Sequence, residues 1–404
     1  MNVLFLTLVS IDSLEQRGIY QDLLRKFSDE GHKVFVVTPL ERRKNKPTTL
    51  LKQKFATILQ VKTFNIVKTN RVEKGIGTLA IENQYLRAIK KHLPAVKFDL
   101  VLYSTPPITF TKVIEFIKKK DGAYSYLLLK DIFPQNAVDM KMLKKGSILH
   151  RMFEKKEKRL YATSDTIGCM SPANVQFVID HNPEIQKNKL EENPNTIEPY
   201  YIEYSQEEQD EIRKKYEIPL DKKVLVYGGN FGKPQGLDFL LETIQASKST
   251  HLFFLLVGDG TAYPKIKTWF DTNVPNNAKL IKRLPKDDYD RLLAACDIGL
   301  IFLHKDFLIP NFPSRLLSYL EMKKPVLAAT DPNTDVGDIL EEAACGFKVM
   351  AGDLEGMQAA LLRLEDDALL KQMQENAWQL LLNKYTVERS YQLIVEKINH
   401  KHCI

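Results

Sequence analysis

Apolar and polar positions alternate in blocks that switch between two periods. The stretch 2–9 is apolar from Val3 onward but for Thr7, and Val34, Phe35, Val36 and Val37 follow one another within 33–38. Unbroken apolar runs of this length mark strands buried on both faces of a parallel sheet. Between them, 21–30 repeats at helical spacing and stops at Gly31, a natural helix end. The unit recurs. Strands are predicted at 56–65, 99–103, 124–129 and 166–170, with helices at 75–91, 109–120 and 141–161. The second half predicts strands at 223–227, 252–257, 279–281, 298–302, 326–329 and 347–349, with helices between them and three more at the end. Regular alternation of this kind predicts an α/β fold with two doubly wound parallel sheets.

A chain of 404 residues is too long for one ordinary core. Composition changes after the polar stretch 191–199. The predicted division is therefore 1–199, 200–385 and a last helix, 386–404, packing back on the first domain. No apolar run reaches the ~20 residues that a membrane span needs. The N-terminal run lacks a basic flank and a small-residue cleavage site, so it reads as a first strand rather than a signal peptide. Cys169, Cys296, Cys345 and Cys403 match no metal or redox spacing, which points to a reduced, cytoplasmic protein. A formal net charge of +7 favours anionic partners. The basic residues are not interleaved with stacking aromatics and no nucleic-acid motif is present, so no nucleic-acid partner is expected.

The candidate chemistry lies in loops that follow strands, where open α/β sheets bind ligands. In the first half these are the Gly18 loop with Glu15, Arg17 and Tyr20, the charged run 41–46 with Arg43, the stretch 104–108, and Asp131 followed by Gln135. Asp131 reads either as a functional carboxylate or as a cap of the next helix. The stretch 141–161 carries Ile148, Leu149, Met152, Phe153 and Leu160 on one helical face. Lys144, Lys145, Arg151, Lys155, Lys156, Lys158 and Arg159 crowd the other positions. That pattern suits a helix packed on the sheet or one resting on an anionic bilayer. In the second half, the Gly-rich turn 228–237 brings backbone amides and Lys233 toward an anion. The stretch 307–329 reads as loop, helix, turn and strand. Ser314 is placed to cap the helix, and Arg315 adds a bidentate donor.

Taken together, Tyr-Gly-Gly-Asn at 227–230, Gly-Lys-Pro-Gln-Gly at 232–236, Val-Gly-Asp-Gly at 257–260, Leu-Pro-x-x-x-Tyr at 284–289 and Lys-Pro-Val at 324–326 resemble the GT-B glycosyltransferases of family 4. The resemblance covers essentially the whole chain. The segments 14–20 and 131–135 look most like the branch that builds bacterial capsule or O-antigen units, with its N-acetyl-fucosamine transferases. The resemblance implies two Rossmann-like domains facing each other across a cleft, with retaining transfer from a UDP-sugar. It implies no metal, since basic residues neutralise the leaving diphosphate. It further implies a polyprenyl-diphosphate-linked acceptor and a location at the inner face of the cell membrane.

On this resemblance Asp131, Lys233 and Arg315 are the expected catalytic residues. Donor contacts fall to Gly18, Gly229, Asn230, Gln235, Arg283, Asn311, Pro313, Ser314, Ser318 and Glu321. Acceptor contacts fall to Glu15, Arg17, Tyr20, Arg43 and Gln135. The chain departs from the family in two places. The two glutamates of the E-x7-E pattern fall on Pro310 and Ser318, and the Arg and Lys of the first phosphate loop fall on Asn230 and Gln235. Glu321, one helical turn beyond Ser318, is a possible replacement carboxylate. Two other readings stay open: a non-hydrolysing UDP-sugar 2-epimerase, and a non-catalytic GT-B scaffold for a partner transferase.

Overall fold

A computed structural model describes residues 1–66, Thr69 and 71–402, with the backbone alone for residues 71, 72, 74 and 400–402. Cys403 lies outside the described residues. The chain divides into two units, Met1–Glu198 with Thr386–Ile404, and Pro199–Tyr385.

The first unit holds an eight-stranded sheet. Its strands are β1 (Asn2–Leu6), β2 (Lys33–Glu41), β3 (Thr49–Lys52), β4 (Thr57–Thr63), β5 (Leu100–Ser104), β6 (Tyr124–Leu129), β7 (Thr166–Cys169) and β8 (Leu190–Glu192). They lie in the order β3-β4-β2-β1-β5-β6-β7-β8, parallel except for the β3–β4 pair. Val3, Leu4, Phe5 and Leu6 are wholly enclosed, as a central strand covered on both faces requires. The strand order turns back between β1 and β5, so the loops after these strands and after β6 share one rim. The helix Val387–His402 belongs to this unit. Its Val387, Ile394 and Ile398 join the core formed by Phe5, Leu24 and Phe27. Tyr391 meets Phe27 edge-on with ring centroids 4.9 Å apart, and Glu388 pairs with Lys26 at 2.5 Å.

The second unit holds six parallel strands. They are β9 (Lys223–Asn230), β10 (Leu252–Asp259), β11 (Ala278–Lys282), β12 (Ile298–Phe302), β13 (Val326–Thr330) and β14 (Gly346–Met350). The order is β11-β10-β9-β12-β13-β14, with the turning point between β9 and β12. The first β–α loop after β9 and the long loop after β12 therefore leave neighbouring strand ends, the place where doubly wound sheets hold their ligands.

Several sequence expectations are corrected. The helix predicted over 141–161 begins only at Ile148, where Ser147 caps it by accepting from the His150 amide at 3.2 Å, and runs to Thr163. Its apolar stripe is split: Leu160 is buried and Phe153 meets Phe133 edge-on at 5.0 Å, while Ile148 and Leu149 are exposed. Between the predicted strand 166–170 and the polar stretch 191–199 the chain forms the overlooked helix Pro172–His181, and strand β8 runs into the start of that stretch. A second overlooked helix, Gln206–Lys215, opens with a reciprocal cap between Ser205 and Glu208. Strands β3 and β8 escaped notice because each is a short edge strand with little apolar content.

Candidate functional site

In the second unit the site is built around Arg315. It is the first residue of the helix Arg315–Glu321, and its guanidinium lies 4.3 Å from the centroid of the Tyr227 ring. One of its terminal nitrogens, Nη2, donates to Gln235 Oε1. The other, Nη1, is buried with no hydrogen-bond partner. Gln235 Oε1 also receives the Tyr227 hydroxyl at 3.3 Å, and that hydroxyl reaches the Asn230 carbonyl at 3.1 Å. Tyr289 and Tyr319 are close enough for their electrostatics to reach the guanidinium. Tyr319 is fixed by the Gly228 amide, which donates to its hydroxyl at 3.2 Å, and itself donates toward the Val226 and Leu300 carbonyls. Burial pushes the Tyr319 hydroxyl up to about 12 and those of Tyr227 and Tyr289 upward as well. All three are therefore neutral near pH 7. The Tyr227 ring stacks on the cation, and none of the three hydroxyls cancels its charge.

Two glycines make this packing possible. Gly229 has φ +124°, a backbone conformation that side chains rarely adopt, and lies against the Arg315 guanidinium. A Cβ on Gly228 would fall within the Tyr289 hydroxyl. The Tyr-Gly-Gly sequence is thus the floor of an arginine site.

The other donor-site expectations fare unevenly. Ser314 does not cap the helix. It has helical φ and ψ of −62° and −19°, its side chain makes no capping bond, and the helix is only seven residues long. What this loop offers an anion is the guanidinium, not a helix start. Glu321 is not a replacement carboxylate. It is buried and accepts from the Tyr200 amide at 2.9 Å, tying the start of this unit to the helix. Asn311 is anchored through its amide to Thr334 Oγ1 at 3.0 Å, next to the buried Pro310 and Pro313. Ser318 is half-buried on the same helix, and Arg283 and Asn230 are exposed at the ends of β11 and β9. Lys233 lines an open cavity of about 540 Å³ with Asp238, Glu242, Lys265, His304 and Lys305. That cavity includes none of Asn230, Ser314 or Arg315.

In the first unit, Asp131 follows β6. Both its carboxylate oxygens accept from Asn136 Nδ2, at 2.6 and 2.7 Å. Thr105 Oγ1, from the loop after β5, accepts the amides of Lys130 and Asp131 at 3.0 and 3.2 Å. Burial raises the Asp131 carboxyl to about 6, against the hydrogen bonds from Asn136. Asp131 is thus held by a side chain and does not cap the next helix, whose N-cap position is Pro134. Beside it, burial lowers the Lys130 ammonium to about 7, and its Nζ donates to the Asn193 carbonyl at 3.2 Å.

The Gly18 amide offers nothing to a ligand, because the Asp22 carboxylate takes it at 2.9 Å. Buried Asp22 also receives Arg25 at 2.6 Å and the Glu198 amide at 3.2 Å. Of the expected acceptor residues, Arg17 donates to the Glu198 carbonyl at 2.6 Å, and Gln135 donates to Asp139 at 2.6 Å. Arg43 pairs with Glu41, Tyr20 is buried against Phe5, and Glu15 is exposed. Tyr20 and Arg43 are therefore engaged in structural contacts.

Comparison with known proteins agrees with this architecture. Residues 208–379 match the family described as glycosyl transferases group 1. WbjE of Pseudomonas aeruginosa, named as a glycosyltransferase, is 24% identical over 298 residues, covering 72% of this chain and 71% of its own length. WcaI of Escherichia coli (strain K12), named for glycosyl transfer in colanic acid biosynthesis, is 21% identical over 274 residues, 66% of this chain and 65% of its own. The fold is that of HepE from Anabaena in complex with UDP-glucose, with TM-score 0.71 over 99% of this chain and 100% of HepE at 14% identity. The chain thus has the GT-B fold and is a glycosyltransferase, with residues 208–379 of its second unit matching glycosyl transferases group 1.

Proposed function

We propose that this glycosyltransferase moves a sugar from a UDP-sugar to a polyprenyl-diphosphate-linked saccharide, with retention at the anomeric carbon, in surface polysaccharide biosynthesis. The observation that carries the donor half is Arg315, a buried cation with a free Nη1 and no carboxylate paired to it among the described residues. Buried charges are otherwise paired, and a diphosphate supplies the missing partner. Such a cation stabilises the departing diphosphate without a metal. The name of WcaI supports the polysaccharide context, and the UDP-glucose held by HepE supports the donor class. The segments 14–20 and 131–135 favour an N-acetylated amino or deoxyamino sugar. Asp131 is assigned to orient and deprotonate the acceptor hydroxyl. A panel of UDP-sugars offered with a polyprenyl-diphosphate disaccharide, in the presence of chelator, is expected to yield one product with the donor's anomeric configuration. No product from any UDP-sugar refutes the reading, and an inverted product refutes retention.

The lipid acceptor brings a membrane into the proposal. No helix among the described residues is long and apolar enough to cross one. The start of the helix Ile148–Thr163 is the candidate contact. Ile148 is 89% exposed and Met142 70%, and the exposed Lys141, Lys144, Lys145, Arg151 and Lys155 surround them. Two inserted aliphatic side chains contribute about 1.5–3 kcal/mol each. Replacing Ile148 and Leu149 together by Glu is expected to weaken sedimentation with phosphatidylglycerol vesicles by about tenfold or more, with transfer to a short-chain soluble acceptor unchanged. Equal vesicle binding by the variant overturns this placement.

A further inference from the structure

Gln235, expected as a donor contact, instead turns its side chain to Arg315. Gln235 ends the short turn Lys233–Gln235 after β9, and this turn is pinned on both sides. The Gln235 amide donates to Gly232 at 3.1 Å, and the His304 amide donates to the Pro234 carbonyl at 2.9 Å. Gly236 follows with φ +56°, and a Cβ there would stand 2.4 Å from the Leu303 carbonyl oxygen. These contacts hold the turn against the segment 303–304 and place the Gln235 side-chain carbonyl beside Arg315. It accepts from Arg315 Nη2 and from the Tyr227 hydroxyl together. The guanidinium is thus held at one nitrogen by Gln235 and over its face by Tyr227, while Nη1 remains free.

A carboxylate at the same point would hold the guanidinium more firmly and would also cancel its charge. An amide carbonyl holds it and leaves the charge in place. We propose that Gln235 is a positioning residue, a neutral clamp that keeps the Arg315 cation aimed and unquenched for a nucleoside diphosphate. The inference rests on the reading that the second unit binds such a ligand.

Gln235→Glu tests it, because the two side chains are nearly isosteric and differ at Arg315 only in charge. UDP and uridine are titrated calorimetrically into the full-length protein and the variant, and both are melted. In Gln235→Glu, UDP affinity is expected to fall tenfold or more while uridine affinity and the melting temperature hold or rise. Gln235→Met loses the hydrogen bond but keeps the free cation, so its UDP affinity is expected to fall only a fewfold. Unchanged UDP affinity in Gln235→Glu overturns the clamp and leaves the donor reading standing. A parallel loss of UDP, uridine and thermal stability makes Gln235 merely structural and likewise overturns it. Absence of UDP binding in the unaltered protein defeats the donor reading and the clamp with it.

Discussion

Arg315→Glu is expected to lower sugar transfer by about 10³-fold and to bring UDP binding below detection. A preorganised cation facing a leaving diphosphate is worth about 10²–10³ in rate when removed, and the introduced carboxylate repels the diphosphate as well. The site around Arg315 is made of neutral oxygens: the hydroxyls of Tyr227, Tyr289 and Tyr319 and the amide of Gln235. A glutamate there meets hydrogen-bond donors, so circular dichroism and melting are expected to show a folded protein. Arg315→Lys separates charge from shape. It keeps a cation but loses the planar fork and the stacking on Tyr227, and about a tenth of the activity is expected to remain. Undiminished transfer by Arg315→Glu would remove Arg315 from the mechanism.

What could be read from the sequence follows how local each signal is. Buried parallel strands announce themselves in runs such as Val224–Tyr227 or Val326–Ala329, because both faces of the strand are covered. That the loops after the parallel strands share one rim follows from the alternation, whereas their order along it is set by the strand order of the sheet. The site resists such reading because its parts meet only in the fold. Arg315 stood out as a cation in a loop, but its neighbours come from 227, 235, 289 and 319. The Tyr-Gly-Gly and Leu-Pro-x-x-x-Tyr motifs contained Tyr227 and Tyr289, yet nothing local shows that the first ring stacks on the guanidinium and the second comes within electrostatic reach of it. Glu321 misled for the same reason. Its helical spacing from Ser318 is real, but the spacing does not reveal that the Tyr200 amide occupies it. Ser314 has the composition of a cap and lacks the extended backbone a cap requires. Asn136, five residues beyond Asp131, is a partner that a helical-turn argument had no cause to pick.

Asp131→Asn is expected to reduce transfer by about 10²–10⁴-fold, the usual worth of a positioned general base, while making the protein more stable at pH 8. The two effects share one origin. Burial raises the folded carboxyl from 3.8 to about 6. As pH rises, the unfolded chain releases this proton first, so stability is greatest below 3.8, falls as pH climbs toward about 6, and is level above that. Asparagine carries no such cost, so the stability gap between variant and parent opens only above pH 4. Activity is expected to have the opposite dependence. With the carboxylate as the proposed base, the rate is expected to rise through pH 6 and level off above it. Asn136→Ala removes both hydrogen bonds that favour the charged form, and the rising limb is expected to move to higher pH with the plateau rate largely kept. A group that serves only packing would show none of this displacement. A pH profile unmoved by Asn136→Ala, or an Asp131→Asn enzyme of full activity, would return Asp131 to the scaffold. A folded state that accepts a costly charge at the end of β6, and whose activity vanishes when the charge is relieved, has placed that carboxylate there for chemistry.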